Sequence, residues 1–359
     1  MTVRPINCAH CRSTTDNLSV KPLSLKQQDG TILITGVAGL VGSHLAQTLL
    51  AQGRCVVGID NFNDYYSVQQ KRDNVAGFAE HDRFTLYETD IRDAQAMMQV
   101  FERYKPTAVA HLAAMANVRY AIGRTPLYID VNITGSVNVL EAAAAHGTEN
   151  FVFASTSSVY GHTTQLPFTE TDPSNSPLSA YPASKKAIEL MGYTYHNLHG
   201  LHFTALRFFS VYGPRPRPDM MPFMVTDRIT RGQTITLFNG GQMQRDWTYV
   251  DDVVDGVVRA IDTPLGYELI NLGRGEPILM ADFVRTLEDL VGKKAVLDCL
   301  DAPASEPAVT FANIDKARAL LGYSPQTSVR DGLERLVQWY RLHHASCPSK
   351  RRGKRPSAA

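Results

Sequence analysis

Residues 31–42 read TILITGVAGLVG. A short β-branched run ends in glycine, and Gly36, Gly39 and Gly42 recur before a stretch of helical spacing begins. No other feature constrains the fold as tightly. Gly36 permits a tight turn, Gly39 lets backbone approach a pyrophosphate, and Gly42 lets the helix pack close to the sheet. The helix that follows carries Val41, Leu45 and Leu49 at helical spacing and is closed by Gly53. Its N-terminus offers N–H groups and a positive dipole end to phosphate. A second strand, CVVGID, ends in Asp60. A carboxylate there accepts hydrogen bonds from an adenosine ribose and repels a 2′-phosphate, so the expected cofactor is NAD rather than NADP.

The same alternation continues. RFTLYETDI reads as a third strand, and a helix around Ala94 to Arg103 leads to TAVAHLAA, a fourth. TGSVNVLEAAAAHG is a helix with Val137, Leu140 and Ala144 on one face. NFVFAS is a fifth strand, SKKAIELMGYTYHNLHG a helix with Ile188, Met191 and Tyr195 on one stripe, and FTALRF a sixth strand. Strand and helix in turn make a doubly wound parallel, Rossmann-type α/β sheet. The texture changes after residue 211. GPRPRPDMMP, with four prolines, excludes regular structure. Residues 30–211 therefore read as a nucleotide-binding domain, with a return to the sheet expected at 244–262. Residues 212–345 read as a smaller mixed α/β substrate lobe, ending in the amphipathic DGLERLVQWYRLHH.

No global charge argues for a nucleic-acid partner, and none is expected: 36 basic residues stand against 35 acidic ones. Five of the basic residues crowd into the last ten. Subtracting them leaves 31 against 35, so residues 346–359 read as a separate, solvated basic tail. Residues 1–29 are polar, contain Pro5 and Pro22, and read as a flexible leader. No run reaches membrane-spanning length and no secretory h-region is seen, so a cytoplasmic protein is expected. Cys8 and Cys11 have the C-x-x-C spacing, but no second pair completes a zinc site, and no metal is expected.

STSSVYG, at 155–161, places four hydroxyl residues at the end of the fifth strand. Buried hydroxyls cost free energy unless something uses them. Ligands bind at the carboxyl ends of strands in such sheets, so Ser155 to Ser158 are expected to point into a site beside the cofactor crevice. Tyr181 and Lys185, in YPASK, stand at i and i+4 on the next helix and share a face. A phenol beside an ammonium and a cationic nicotinamide has its pKa lowered from about 10, which makes tyrosinate available as a base. Thr156 supplies a second hydrogen bond to the reacting oxygen. His111, on an apolar strand, reads as a packed and hydrogen-bonded residue.

These motifs, together with GIDNFNDYYSV (58–68), VRYAI (118–122), YPASKKAIELM (181–191), LRFFSVYGP (206–214), RPDM (217–220) and QRDWTYVDDVVDG (244–256), carry a family resemblance. From about Thr31 to Tyr340 the chain resembles the extended short-chain dehydrogenase/reductases, in their NAD-dependent sugar-nucleotide epimerase/dehydratase group. Within that group it looks most like UDP-glucuronate 4-epimerases. The resemblance implies roles. Gly36, Gly39 and Gly42 bind the pyrophosphate, and Asp60 and Asn61 the adenosine ribose. Asp90 and Ile91 lie against adenine, and Leu112 and Ala113 line the cofactor. Thr156, Tyr181 and Lys185 are the catalytic set, with Lys185 also on the nicotinamide ribose and Phe208 beside the nicotinamide. Ser157, Ser158, Ser210 and Arg217 surround the sugar carboxylate, and Arg245 pairs with the diphosphate. Tyr181 takes the 4-OH proton while hydride passes from C4 to NAD; the 4-keto sugar turns over and receives hydride on its other face. A homodimer formed through the helices flanking the fifth strand is implied as well, with Ile188, Met191 and Tyr195 as contacts.

The short run Thr156-Ser157-Ser158 separates related chemistries. The 4,6-dehydratases carry Thr-Asp-Glu there, and the decarboxylases Thr-Ser-Glu. Two hydroxyls can hydrogen-bond a carboxylate that an acid would repel. Three stretches depart from the family pattern: Met115-Ala116-Asn117 in place of Gln-Ala-Gly, Pro214-Arg215-Pro216 in place of Pro-Trp-Gly, and Ser305-Glu306 in place of Pro-Gly-Asp. Other readings therefore stay open at this level: a 4-epimerase of a neutral or N-acetylated nucleotide sugar, a nucleotide-sugar decarboxylase, or a non-enzymatic dinucleotide-binding protein.

Overall fold

The computed structural model describes residues 30–302 and 307–344. The leader, the basic tail, Cys8, Cys11, Ser305 and Glu306 lie outside the described residues. The chain opens with β1 (Ile32–Thr35), α1 (Leu40–Ala51), β2 (Val56–Asp60), α2 (Val68–Ala76), β3 (Phe84–Glu88), α3 (Ala94–Tyr104) and β4 (Ala108–His111). A short helix α4 (Thr125–Tyr128) then runs through a π-helical turn (129–134) into α5 (Gly135–Ala145), followed by β5 (Asn150–Thr156), α6 (Ala180–His199) and β6 (His202–Phe208). Apolar runs such as Ile32-Leu33-Ile34 are buried on both faces, which is what a parallel sheet covered by helices requires. Ile32 and Ile34 pack toward α1, and Leu33 packs toward α3 and α5 on the other side.

Past β6 the chain leaves the large sheet within one residue. It forms β7 (Ser210–Tyr212), α7 (Met221–Arg231), β8 (Thr234–Phe238), β9 (Gln244–Tyr249), α8 (Val250–Asp262), β10 (Tyr267–Leu272), β11 (Pro277–Leu279), α9 (Met280–Val291), β12 (Val296–Leu300), β13 (Val309–Thr310), α10 (Asp315–Leu321) and α11 (Val329–His344). The large sheet is seven-stranded and parallel, in the order β10-β6-β5-β4-β1-β2-β3. The order reverses between β1 and β4, so the crevice opens there, one strand away from β5. A second sheet is centred on β9, which pairs with β7, β11 and β13.

The return to the large sheet differs from the sequence expectation of 244–262. The strand in that stretch, β9, belongs to the small sheet, and the strand that joins β6 is β10. The reason is Asp246. Its buried carboxylate accepts the N–H groups of Arg274, Gly275 and Ala312 at 2.7, 2.9 and 3.1 Å. Those donors exist only where loops of the small lobe converge, and an unpaired carboxylate between helices and a parallel sheet would be costly. What returns at 250–262 is the helix: α8 buries Val253, Val254 and Val257 beside α1. The Ile188, Met191, Tyr195 stripe also divides. Ile188 and Tyr195 are in the core, while Met191 is exposed.

Candidate active site

A cavity of about 490 Å³ lies along the carboxyl ends of the large sheet. Its floor is the glycine turn. Gly36 has φ +73°, and a Cβ there would stand 2.8 Å from the Ala113 backbone nitrogen. A Cβ on Gly42 would meet the Gly36 carbonyl oxygen at 2.2 Å. A Cβ on Gly39 would touch nothing nearer than that same oxygen, at 3.2 Å, so this part of the loop is open to an approaching ligand. Asp60, at the end of β2, accepts from the Ala38 N–H at 3.1 Å and the Phe62 N–H at 2.9 Å, so its carboxylate is fixed at the rim of the turn. Asn61 donates to Asp90 Oδ2 at 2.7 Å. Arg92 grips Asp90 as well, and although burial opposes it, these donors hold the Asp90 carboxyl below its usual range. Ile91, Leu112 and Ala113 complete this half of the wall. The donors, the glycine cradle and the rim carboxylate together fit a dinucleotide.

β4 is held by a buried relay. The Leu112 and Ala113 N–H groups both point at Thr35 Oγ1, at 3.2 Å. The Thr35 hydroxyl therefore gives its proton to His111 Nδ1 at 2.6 Å, and His111 Nε2–H meets Ser136 at 2.8 Å. Burial lowers the His111 pKa to about 3, so the ring is a neutral structural post. Asn132, in the π-helical turn, bonds the Met115 backbone twice and donates to Ser184 at 2.9 Å, tying that turn to the start of α6.

The other half of the cavity carries the chemistry. Thr156 ends β5, and its hydroxyl accepts the Ser158 N–H at 3.1 Å, capping the tight turn at 157–160. Thr156 also acts on the Tyr181 phenol, favouring its ionised form. Tyr181 lies in the first turn of α6, and Lys185 lies one turn on with its Nζ 4.6 Å from the Phe153 ring. Burial dominates and leaves the Tyr181 pKa raised, while the Thr156 hydrogen bond and the Arg217 charge pull it down. Burial lowers the Lys185 pKa to about 7.

The hydroxyl run also divides. Thr156 and Ser158 line the cavity, as do Phe208, Ser210 and Arg217. Ser155 borders the cavity too, but its Oγ donates to Glu189 Oε1 at 2.7 Å. Ser157 is not part of the wall. Arg245 is not either: it sits on β9 and donates to the carbonyls of Gln244 and Ala308, at 2.8 and 3.4 Å. Arg217 reaches the wall already paired with Asp219 at 3.0 Å. Sequence reasoning missed Lys71, Tyr66, Asn117 and Trp247, which also line the cavity. Lys71 is 5% exposed and donates to the Asn63 carbonyl and side chain at 2.7 and 2.8 Å, bracing the loop after β2. Its place on a polar helix gave no periodic signal.

Comparison with known proteins agrees with this geometry. The profile of the NAD dependent epimerase/dehydratase family matches residues 32–273. A protein of Thermodesulfobacterium geofontis named UDP-glucuronate 4-epimerase is 42% identical over 311 residues, covering 86% of this chain and 96% of that one. UDP-glucuronate 4-epimerase 4 of Arabidopsis thaliana is 40% identical, covering 88% and 76%. The crystal structure of UDP-glucuronic acid 4-epimerase from Bacillus cereus, in complex with UDP-glucuronic acid and NAD, superposes with a TM-score of 0.81 at 34% identity, covering 87% and 99%. With the glycine turn, the rim carboxylate and the Thr156, Tyr181, Lys185 set in one cavity, the chain belongs to the NAD dependent epimerase/dehydratase family.

Proposed function

We propose that the protein is an NAD-dependent nucleotide-sugar 4-epimerase that interconverts UDP-glucuronate and UDP-galacturonate. The observation that carries this reading is the carboxyl end of β5. Thr156 and Ser158 line the cavity with a hydroxyl and no acidic residue at position 158, in one wall set with Arg217 and Ser210. Relatives named for this activity support it. Bound NAD supplies reversible hydride acceptance at the sugar C4. The rest falls to the chain. Gly36, Gly39 and Gly42 hold the pyrophosphate, and Asp60 and Asn61 the adenosine ribose, with Asp90, Ile91, Leu112 and Ala113 around the base. Tyr181, hydrogen-bonded by Thr156, takes the 4-OH proton and later returns it. Lys185 holds the nicotinamide ribose, whose hydroxyls would raise its proton affinity again. Ser157, Ser158, Ser210 and Arg217 surround the sugar carboxylate, and Arg245 pairs with the diphosphate.

We also propose a homodimer through α5 and α6. Leu190, Met191, Tyr193 and Leu198 are exposed on α6, more apolar surface than one helix of a monomer ordinarily shows water. The experiment is incubation with UDP-glucuronate followed by separation of products. UDP-galacturonate as the product supports the reading. UDP-pentose as the main product, or turnover of UDP-glucose alone, overturns the glucuronate assignment.

A further inference from the structure

Three loops that border the cavity meet at one carboxylate. Asp219 Oδ2 accepts from the Tyr65 hydroxyl at 2.8 Å and from Asn117 Nδ2 at 2.6 Å. Asp219 Oδ1 accepts from Arg217 Nε at 3.0 Å, and Arg217 Nη2 lies 3.4 Å from Oδ2. Tyr65 comes from the loop after β2, Asn117 from the loop after β4, and Arg217 and Asp219 from the segment between β7 and α7. Tyr65, Asn117 and Arg217 all line the cavity, while the Asp219 side chain is 31% exposed, so the junction stands at the rim.

The donors are themselves fixed. Asn117 adopts φ +80°, a left-handed conformation that Asn tolerates better than most residues. Its Oδ1 accepts the N–H groups of Arg119 and Tyr120 at 2.9 and 3.1 Å, so its amide is held at both ends. The Tyr65 ring packs edge-on against Tyr120, with centroids 4.7 Å apart. Burial works against the Asp219 charge, but Arg217, Asn117 and Tyr65 hold its carboxyl below the ordinary value. Arg217 offers Asp219 the Nε side of its guanidinium, and its Nη1 makes no hydrogen bond among the described residues.

We propose that Asp219 is the positioning residue of the sugar end of the cavity, a clasp that orients Arg217 and ties three rim loops over the oxidised sugar. This rests on the epimerase reading above. The chemistry gives the clasp a purpose. After the first hydride transfer the sugar has lost its 4-OH proton to Tyr181 and its C4 hydride to NAD. The ketone has one donor fewer with which to hold its place, and it must turn over without leaving. If it leaves, the enzyme keeps reduced cofactor and stops until NAD replaces it. Pinning one edge of Arg217 also fixes where the free edge points, and a planar donor pair must be fixed to recognise a carboxylate in one orientation.

The test uses the full chain loaded with NAD, comparing Asp219→Asn with the wild type. The substitution keeps size and removes charge at a partly exposed position. The first measurement is amide hydrogen exchange. The expected result is faster exchange, by roughly tenfold, in the rim segments 61–66, 115–120 and 213–220 together, with α1 unchanged. Faster exchange in 213–220 alone, or in none of the three, overturns the clasp. The second measurement is the near-ultraviolet absorbance of reduced nicotinamide during turnover of UDP-glucuronate. Asp219→Asn should accumulate reduced cofactor, lose activity with time and regain it on addition of NAD. A variant that slows without accumulating reduced cofactor has a merely structural defect, and the retention role fails. A wild type that epimerises no UDP-sugar sinks the epimerase reading and the retention role with it, while the exchange data decide the clasp by themselves.

Discussion

Glu189 grips Arg207 with both oxygens, at 2.9 Å to Nε and 2.8 Å to Nη2, and neither side chain has any exposed surface. The pair sits one row beneath the chemistry. Arg207 is in register with Ser155 and Phe208 with Thr156, while Tyr181, Lys185 and Glu189 follow at intervals of four along α6. Ser155 joins the pair through Glu189 Oε1. Glu189→Gln strands the buried Arg207 charge, and Arg207→Met leaves Glu189 with Lys186, 3.3 Å from Oε2, in place of its bidentate partner, so each should cost about 3–5 kcal/mol. Replacing both with Met should recover most of that, since well-packed apolar residues often match a buried pair. Urea midpoints of the two singles and the double decide it. A single variant of wild-type midpoint would show that the pair contributes nothing.

Tyr181→Phe should keep the fold and NAD binding and lose at least about 100-fold in turnover, the scale of a positioned acid or base. The measurement is kcat beside an NAD titration. A near-wild-type rate would remove Tyr181 from the mechanism.

Arg217 touches both specificity and pH response. Its charge helps to pull the Tyr181 pKa down against burial. Arg217→Ala should therefore move the acidic limb of the kcat profile to higher pH. It should also weaken the preference for UDP-glucuronate over UDP-glucose about tenfold or more, since charge-assisted contacts contribute roughly 1.5–3 kcal/mol. A larger share of decarboxylated pentose is expected among the products, read by mass. An unchanged profile together with unchanged products would leave Arg217 as a loop contact.

Lys185 trades stability for chemistry. Burial lowers its pKa from 10.5 to about 7, so between those values the unfolded chain holds a proton that the folded, ligand-free chain does not. Stability should rise with pH through that window, and below about 7 the penalty is complete. Lys185→Met should abolish turnover yet raise the Tm of the ligand-free protein at pH 7 by several degrees. The gain should shrink toward pH 10.5. Calorimetry at pH 7 and pH 10 tests the sign, and a destabilised variant would show that the ammonium is satisfied where it lies.

Asp60 should set the cofactor. Asp60→Gly removes the rim carboxylate and should bring NADP affinity within about tenfold of NAD, as expected when a repulsive contact worth 1–2 kcal/mol is lost. Fluorescence titration with both dinucleotides checks it. Tight NADP binding by the wild type would contradict the assignment.

The parts legible in the sequence were those written in short range. Gly36 and Gly42 declare their turn because a Cβ at either would collide with backbone, and Tyr181 and Lys185 share a face by helical spacing alone. What stayed hidden depends on distant partners. β9 looks like any short strand until the carboxylate of Asp246 finds N–H groups at 274, 275 and 312. Ser155 and Thr156 look alike in the chain, but the alternation of a strand sends one to Glu189 and the other to Tyr181. Asp219 reads as a polar residue in a proline-rich loop, and its partners lie about 100 and 150 residues upstream. No local pattern encodes that meeting.

A single residue, Phe209, joins β6 of the large sheet to β7 of the small one, since β6 ends at Phe208 and β7 begins at Ser210. Phe209 is buried and its N–H bonds the Leu272 carbonyl at 3.1 Å, so the junction has no slack. The wall on one side of it serves the cofactor and the wall on the other serves the sugar. At this crossing the gauge between them is therefore a covalent one, roughly 3.8 Å per residue. Such a chain can exchange one sugar for another by redrawing the outer loops, generation after generation, and never recalibrate the distance the hydride must travel.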